Sequence, residues 1–120
     1  MRDVLIIDDD PYFRDILSRL LEGRFNVDSV GDGASGLGRC APRPPDLVLL
    51  DLQLPGLGGA AVVERLWEDP RTAGVPVVAF SAGRVEAARR GFLMARGVRR
   101  VMDKLSPCRE FLAAALEAAG

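Results

Sequence analysis

The chain has 120 residues, enough for one domain with a hydrophobic core and too few for two. Its 16 basic and 17 acidic residues give a net charge of -1, which argues against general attraction to nucleic acid or to anionic membranes. No apolar run approaches the ~18 residues of a membrane span and no secretory signal opens the chain, so we expect a cytoplasmic protein.

The histidine, cysteine and lysine content limits the kinds of catalytic or metal site that the chain can form. Histidine is absent, which excludes Ser-His-Asp catalysis and His-ligated zinc and assigns any phosphohistidine to a partner. Cys40 and Cys108 lie far apart and lack a C-x-x-C spacing, so we expect both to be buried in helix packing. Lys104 is the only lysine, and it is either a chance surface residue or a position that requires a compact ammonium.

The first strand, Val4 to Ile7, is entirely apolar and ends at three aspartates, Asp8 to Asp10. Pro11 follows Asp10 as a first-turn proline follows an N-cap, and apolar residues then recur at helical spacing as far as Gly23. This pattern predicts a strand, an acidic loop and a helix.

A second strand, Phe25 to Val30, interleaves polar and apolar residues as an edge strand does. Gly31 to Gly33 then turns the chain into a short helix that ends near Ala41. The branched apolar run Leu47 to Leu50 predicts a strand buried on both faces. Asp51 follows it directly, so we place this carboxylate at the carboxyl end of the central strand.

A third helix has an apolar face formed by Val62, Val63, Leu66 and Trp67. The fourth strand, Val75 to Phe80, runs into Ser81, and a fourth helix is predicted from Val85 to Arg96. The fifth strand, Arg99 to Met102, leads to Lys104. Ser106-Pro107 then caps the last helix.

Five strands that alternate with five helices predict an α/β protein with a doubly wound parallel sheet, helices on both faces and right-handed crossovers. In a sheet of order 2-1-3-4-5, ligands bind at the carboxyl ends of strands one and three, where the strand order reverses. We therefore predict one flavodoxin-like domain, residues 1–120, with its site at that edge.

The polar residues that end four of these strands should converge at the same edge: Asp8, Asp9, Asp51, Ser81 and Lys104. Three crowded carboxylates repel one another, and each raises the pKa of the others. A divalent cation between them would stabilise their charged forms. Oxygen ligands favour a hard ion, Mg2+ first and Mn2+ or Ca2+ next. The alternative is a solvated acidic rim without a ligand.

Four motifs follow one another at these strand ends: LIIDDD (5–10), DLVLLDLQLPG (46–56), VVAFSA (77–82) and MDK (102–104). Together they resemble the receiver domain of bacterial two-component response regulators, the CheY-like superfamily. The resemblance covers the whole chain, and it is specific because all four motifs occur in order.

The resemblance implies a signalling domain and not a conventional enzyme. Asp51 matches the residue that accepts a phosphoryl group from a histidine kinase or a histidine phosphotransfer protein. Ser81 matches the hydroxyl that bonds a phosphoryl oxygen, and Lys104 matches the cation that pairs with another. Phosphoryl transfer depends mainly on positioning and charge neutralisation, which these groups supply.

The resemblance also implies a bound Mg2+. Asp8 and Asp9 match the acidic pair that holds the ion, and Asp51 shares it. The backbone carbonyl of Gln53 matches a further ligand.

Two positions depart from the family pattern. Val101 stands where an aromatic residue often reports the phosphorylated state, and Leu105 stands where a proline usually follows the lysine. Because a cis bond before a residue other than proline is costly, we predict a trans Lys104–Leu105 bond with the ammonium still directed at the carboxylates.

Two alternatives to a phosphorylated receiver stay open. One is a degenerate receiver that acts as a constitutive docking module with little switching. The other is a metal-dependent phosphatase, which would need an acid two residues after the nucleophile, where this chain has Gln53.

The expected downstream partner is a protein effector or an effector domain outside this sequence, without direct nucleic-acid or membrane binding. Six arginines make the fourth helix and fifth strand basic, either as a partner surface or as a solvated face: Arg84, Arg89, Arg90, Arg96, Arg99 and Arg100.

Overall fold

A computed structural model describes residues 1–120 and shows five strands alternating with five helices. In chain order they are β1 (Arg2–Ile7), α1 (Pro11–Leu21), β2 (Phe25–Val30), α2 (Gly33–Cys40), β3 (Leu47–Asp51), α3 (Gly59–Glu68), β4 (Val77–Ser81), α4 (Ala87–Met94), β5 (Val98–Asp103) and α5 (Cys108–Ala119). None of the helices has the length and apolar character needed to cross a bilayer.

The five strands form one parallel sheet of order β2-β1-β3-β4-β5, which confirms the predicted fold class and strand order. All residues of β3 and β4 are buried, as expected for central strands covered on both faces. The burial of β2 is interrupted by exposed residues, and β2 lies at the sheet edge as predicted.

Two hydrophobic cores lie on opposite faces of the sheet because successive strand residues point to opposite sides. One core packs Leu5, Val48 and Ala79 against α2, α3 and α4. The other packs Ile6, Leu49 and other strand residues against α1 and α5. The sheet edge between these layers is where the polar strand ends meet.

Two local features determine where α1 and α3 begin near this edge. Asp10 caps α1, since its side chain accepts a hydrogen bond from the Tyr12 amide at 2.9 Å, as predicted. At the start of α3, a Cβ on Gly59 would lie 2.5 Å from Leu52 Cα and 2.8 Å from the Asp51 carbonyl oxygen. Glycine there allows α3 to begin directly beside the end of β3.

Several element boundaries differ from the predictions. The fourth strand begins at Val77 and not at Val75, because the Val75 amide donates to the Thr72 carbonyl in a turn. The fourth helix begins at Ala87, two residues later than predicted. Ser106 does not cap α5 with its side chain, because the N-cap position is occupied by Pro107.

One side chain predicted to be buried is exposed, and another, on the predicted apolar face of α3, is partly exposed. Cys40 is buried in α2, and burial raises the pKa of its thiol to about 11, but Cys108 is exposed in the first turn of α5. Trp67 is 46% exposed, because it lies at the edge of the apolar face of α3, beside Gly97. Helical spacing alone does not distinguish the edge of an apolar face from its centre.

Candidate functional site

The carboxyl ends of β1 and β3 bring three carboxylates together. Asp8 follows β1, Asp9 comes next, and Asp51 is the last residue of β3. One oxygen of each lies within 4.8 Å of the others. Asp8 and Asp51 are buried and Asp9 is exposed, so the group forms a pocket that is closed beneath and open to solvent above.

Backbone amides orient the two buried carboxylates. The Asp10 amide donates to Asp8 Oδ1 at 2.8 Å, and the Gln53 amide donates to Asp51 Oδ1 at 2.8 Å. Each bond is made by an aspartate to the amide two residues later, a turn that short acidic side chains favour where a strand ends. The local sequence therefore directs one oxygen of each carboxylate back to the chain and leaves the other for the pocket.

Lys104 supplies the positive charge of the pocket. Its Nζ lies 3.0 Å from Asp8 Oδ2 and 3.3 Å from Asp51 Oδ2. Burial lowers the pKa of the ammonium, but the hydrogen bond and charge of Asp8, together with Asp51, outweigh that effect and leave the pKa above its usual value. Every peptide bond is trans, which confirms the predicted trans Lys104–Leu105 bond. The short distances from Nζ to Asp8 and Asp51 confirm that the ammonium is directed at the carboxylates.

The lysine leaves the acidic group short of positive charge. Burial raises the pKa of the Asp8 carboxyl, because its ionised form is poorly solvated and stands close to Asp51. Asp8 Oδ2 is fully buried, and its ion pair with Lys104 Nζ at 3.0 Å is not aligned as a hydrogen bond. Three carboxylates opposed by one ammonium fit a hard divalent cation such as Mg2+.

Ser81 ends β4 next to this group and is buried. It follows Phe80, which pairs with Asp51 across the sheet. Its backbone carbonyl accepts a hydrogen bond from the Lys104 amide at 2.9 Å, which ties the end of β4 to the lysine loop. The fold thus brings the five predicted strand-end residues to a single edge.

Three contacts at the site were not predicted from the sequence. The Phe13 ring lies beneath the Lys104 ammonium, with the nitrogen 4.7 Å from the ring centroid. Arg14 donates to the Asp8 carbonyl at 2.7 Å, and Gln53 Oε1 accepts from the Ala82 amide at 3.3 Å. Helical spacing marked Phe13 only as apolar, and nothing in the sequence indicates which side chain it meets.

The α4–β5 face, beyond the site, has a different character. Val101 is half-buried and lines an open groove between α4 and β5, together with Val85, Gly91 and Met94. Five of the six predicted arginines are exposed and form no ion pair: Arg84, Arg89, Arg90, Arg99 and Arg100. The sixth, Arg96, stacks 3.6 Å from the centroid of the Phe92 ring.

Comparison with characterised proteins agrees with this geometry. The DNA-binding dual master transcriptional regulator RpaA of a Synechocystis species is 40% identical over 94 residues, which are 77% of this chain and 39% of that protein. The DNA-binding response regulator MtrA of Mycolicibacterium smegmatis is 41% identical over 80 residues, or 66% of this chain and 34% of that protein. The chain thus spans less than half the length of these relatives.

Solved structures show the same fold. A CheY-like response regulator receiver protein from Methanospirillum hungatei superimposes with a TM-score of 0.89 at 22% identity, covering 99% of this chain and 94% of that one. The receiver domain of NtrX from Brucella abortus gives 0.85 at 26% identity, covering 98% of both chains. The response regulator receiver domain profile matches residues 4–116, and the chain therefore belongs to that family.

Proposed function

We propose that residues 1–120 form one cytoplasmic receiver domain whose Asp51 takes up a phosphoryl group in a reaction that needs Mg2+. The donor is the phosphohistidine of a histidine kinase or of a histidine phosphotransfer protein. One observation carries the proposal: the Asp51 carboxylate ends the central strand within 3.3 Å of a half-buried ammonium and beside two further acids. Membership in the receiver family supports it.

The proposed step is a nucleophilic displacement at phosphorus. A carboxylate oxygen of Asp51 forms the new bond to phosphorus while the bond from phosphorus to the partner's imidazole nitrogen breaks, and the imidazole keeps the electron pair. Asp8, Asp9 and Asp51 are the side chains that would hold Mg2+, together with the Gln53 carbonyl. The ion, when bound, would neutralise charge on the phosphoryl oxygens.

Two other residues are assigned to the phosphoryl oxygens. The Lys104 ammonium, already 3.3 Å from Asp51 Oδ2, pairs with one of them, and the Ser81 hydroxyl donates to another. Ala82 is small and exposed, so it leaves space for the phosphoryl group and for a water that later hydrolyses the acyl phosphate. The same residues would therefore support both formation and loss of the phosphorylated state.

The output is proposed to act through protein contacts. RpaA and MtrA are DNA-binding proteins by name, yet this chain matches only 39% of the first and 34% of the second. With a net charge of -1, these residues are expected to bind an effector protein or an effector domain and not DNA itself. A constitutive docking module would instead bind its partner equally with and without phosphate, and no observation favours it.

The test is incubation of the protein with a small acyl-phosphate donor and Mg2+, followed by intact-mass analysis. Wild type should gain one phosphoryl group, and Asp51→Ala should gain none. Asp10→Asn is the matched control, because it removes a neighbouring carboxylate while an asparagine still caps α1. Phosphate that persists in Asp51→Ala would contradict the assignment, as would an unreactive wild type.

A further inference from the structure

Three aromatic rings pack against one another beneath Lys104. The centroids of Phe13 and Phe80 are 5.4 Å apart, those of Phe80 and Phe111 are 5.8 Å apart, and those of Phe13 and Phe111 are 5.9 Å apart. The rings come from α1, β4 and α5, so they join the two helices on one face of the sheet to the strand beside the site. Phe80 and Phe111 are buried, whereas Phe13 is half-buried at the rim.

The Lys104 ammonium contacts this cluster as well as the acids. Its Nζ lies 4.7 Å from the Phe13 centroid and 5.9 Å from that of Phe80. Both distances fall within the range in which the negative face of a ring attracts a cation, and the attraction strengthens where water is excluded. Only 18% of the lysine side chain is exposed, so the ring of Phe13 attracts the ammonium in a place from which most water is excluded.

The backbone around the lysine directs its side chain only in part. The Lys104 amide bonds to the Ser81 carbonyl, and Asp103 Oδ1 accepts the Leu105 amide at 2.8 Å, which sets where the loop begins. Leu105 itself is 87% exposed and packs against little. A lysine stem has four freely rotating bonds, so the direction of the ammonium must come from its side-chain contacts.

We propose that Phe13 is a positioning residue for the phosphoryl-transfer reaction, whose ring holds the Lys104 ammonium between Asp8 and Asp51 before a phosphoryl group arrives. The inference rests on the proposed function for its kinetic consequence, but not for the placement of the lysine. Phe13 touches neither Asp51 nor the incoming group in this scheme. It acts by restricting the flexible Lys104 side chain to conformations that place the ammonium between Asp8 and Asp51.

Lysine-selective 13C labelling tests the placement directly, because Lys104 is the only lysine in the chain and yields one Cε–Hε signal. In the wild type the face of the Phe13 ring should displace this signal upfield. Phe13→Leu should move it toward the position of a free lysine, and Phe13→Tyr, which keeps the ring, should restore it. Phe25→Leu is the matched control, since Phe25 is buried in the same core away from Lys104.

Phosphorylation by a small acyl-phosphate donor tests the consequence. The rate should fall about three- to tenfold in Phe13→Leu, the effect of losing one cation–π contact, and recover in Phe13→Tyr. The Mg2+ affinity, read from a thermal-shift titration, should not weaken, because the three carboxylates stay in place. Phe25→Leu should phosphorylate like the wild type under conditions where both variants are fully folded.

The possible results separate the two proposals. A wild type that takes up no phosphate defeats the proposed function, while the lysine signal still decides the placement. A Phe13→Leu protein that matches Phe25→Leu in both the signal and the rate overturns the positioning role. So does a parallel loss of Mg2+ affinity, because it would show that Phe13 supports the whole pocket and not the lysine.

Discussion

The edge that carries the acidic pocket and the α4–β5 face differ in how their charges are constrained. At the pocket, Asp8, Asp51 and Lys104 are largely buried, and each charged group has partners within about 3 Å. On the α4–β5 face, five of the six arginines are exposed and form no ion pair, and Arg84 and Arg90 line the groove beside Val101. We therefore expect charges in the pocket to affect folding and any binding of a cation, and charges on the face to be available to another molecule.

Mg2+ should produce the largest contrast between the two regions. Because the ion relieves repulsion that exists only when the acids are gathered, it should stabilise the fold by about 2.7 kcal/mol at a hundred times its dissociation constant. Thermal melts with added Mg2+ and with EDTA measure this shift. An Asp9→Asn/Asp51→Asn double variant should lose the shift, and Arg100→Met, which removes an exposed and unpaired cation of β5, should keep it. An equal shift in the double variant would place the ion elsewhere.

Lys104→Met should destabilise the protein in EDTA by about 2 kcal/mol, because it leaves two buried carboxylates without their cation. Urea unfolding measures the loss, and Mg2+ should recover most of it by replacing the missing charge. Arg100→Met removes an exposed, unpaired cation and should change nothing measurable. If both variants behaved alike, the proposed contrast between constrained and free charges would be wrong.

Asp8→Asn should stabilise the protein at neutral pH without Mg2+, by less than Lys104→Met destabilises it. Burial raises the folded-state pKa of Asp8 above its usual 3.8, so the folded state binds that proton more tightly than the unfolded chain. Wild type should therefore lose stability as the pH rises from about 4 through the folded pKa, and the variant should lack this loss. Urea unfolding across that range measures both curves. They should converge at lower pH, and a constant offset would exclude titration of Asp8 as the cause.

Transmission from the pocket to the α4–β5 face should be weak. Val101 has one stiff torsion and little reach, so we expect the loop after β4 to move toward the phosphoryl group through Ser81 without a large rearrangement on β5. The coupling to a partner should be at or below about 1 to 3 kcal/mol. Titration with a beryllofluoride-type mimic and Mg2+, followed by amide NMR, should shift signals at Ser81 to Gly83 more than those around Val101. A thousandfold rise in partner affinity on phosphorylation would contradict this.

Much of the fold and the site could be predicted because strand ends in a parallel sheet share an edge. Branched runs such as Leu47 to Leu50 marked the central strands, and a polar residue directly after each run had to lie at the carboxyl edge. The gathering of Asp8, Asp51 and Lys104 followed from that rule. The trans bond before Leu105 followed from the cost of a cis bond before a residue other than proline. These features depend on the local sequence pattern and on general rules of sheet topology and peptide geometry.

Only the tertiary structure decided which side chains meet across layers. The stacking of Phe13 beneath Lys104 depends on the angle at which α1 and α5 pack on the sheet. Helical spacing in the sequence does not specify that packing angle. The exposure of Cys108 and the complete burial of Asp8 also depend on packing between elements. Sequence periodicity specifies a face, but contact and burial depend on what the neighbouring element places against it, and that is determined by packing between residues distant in the chain.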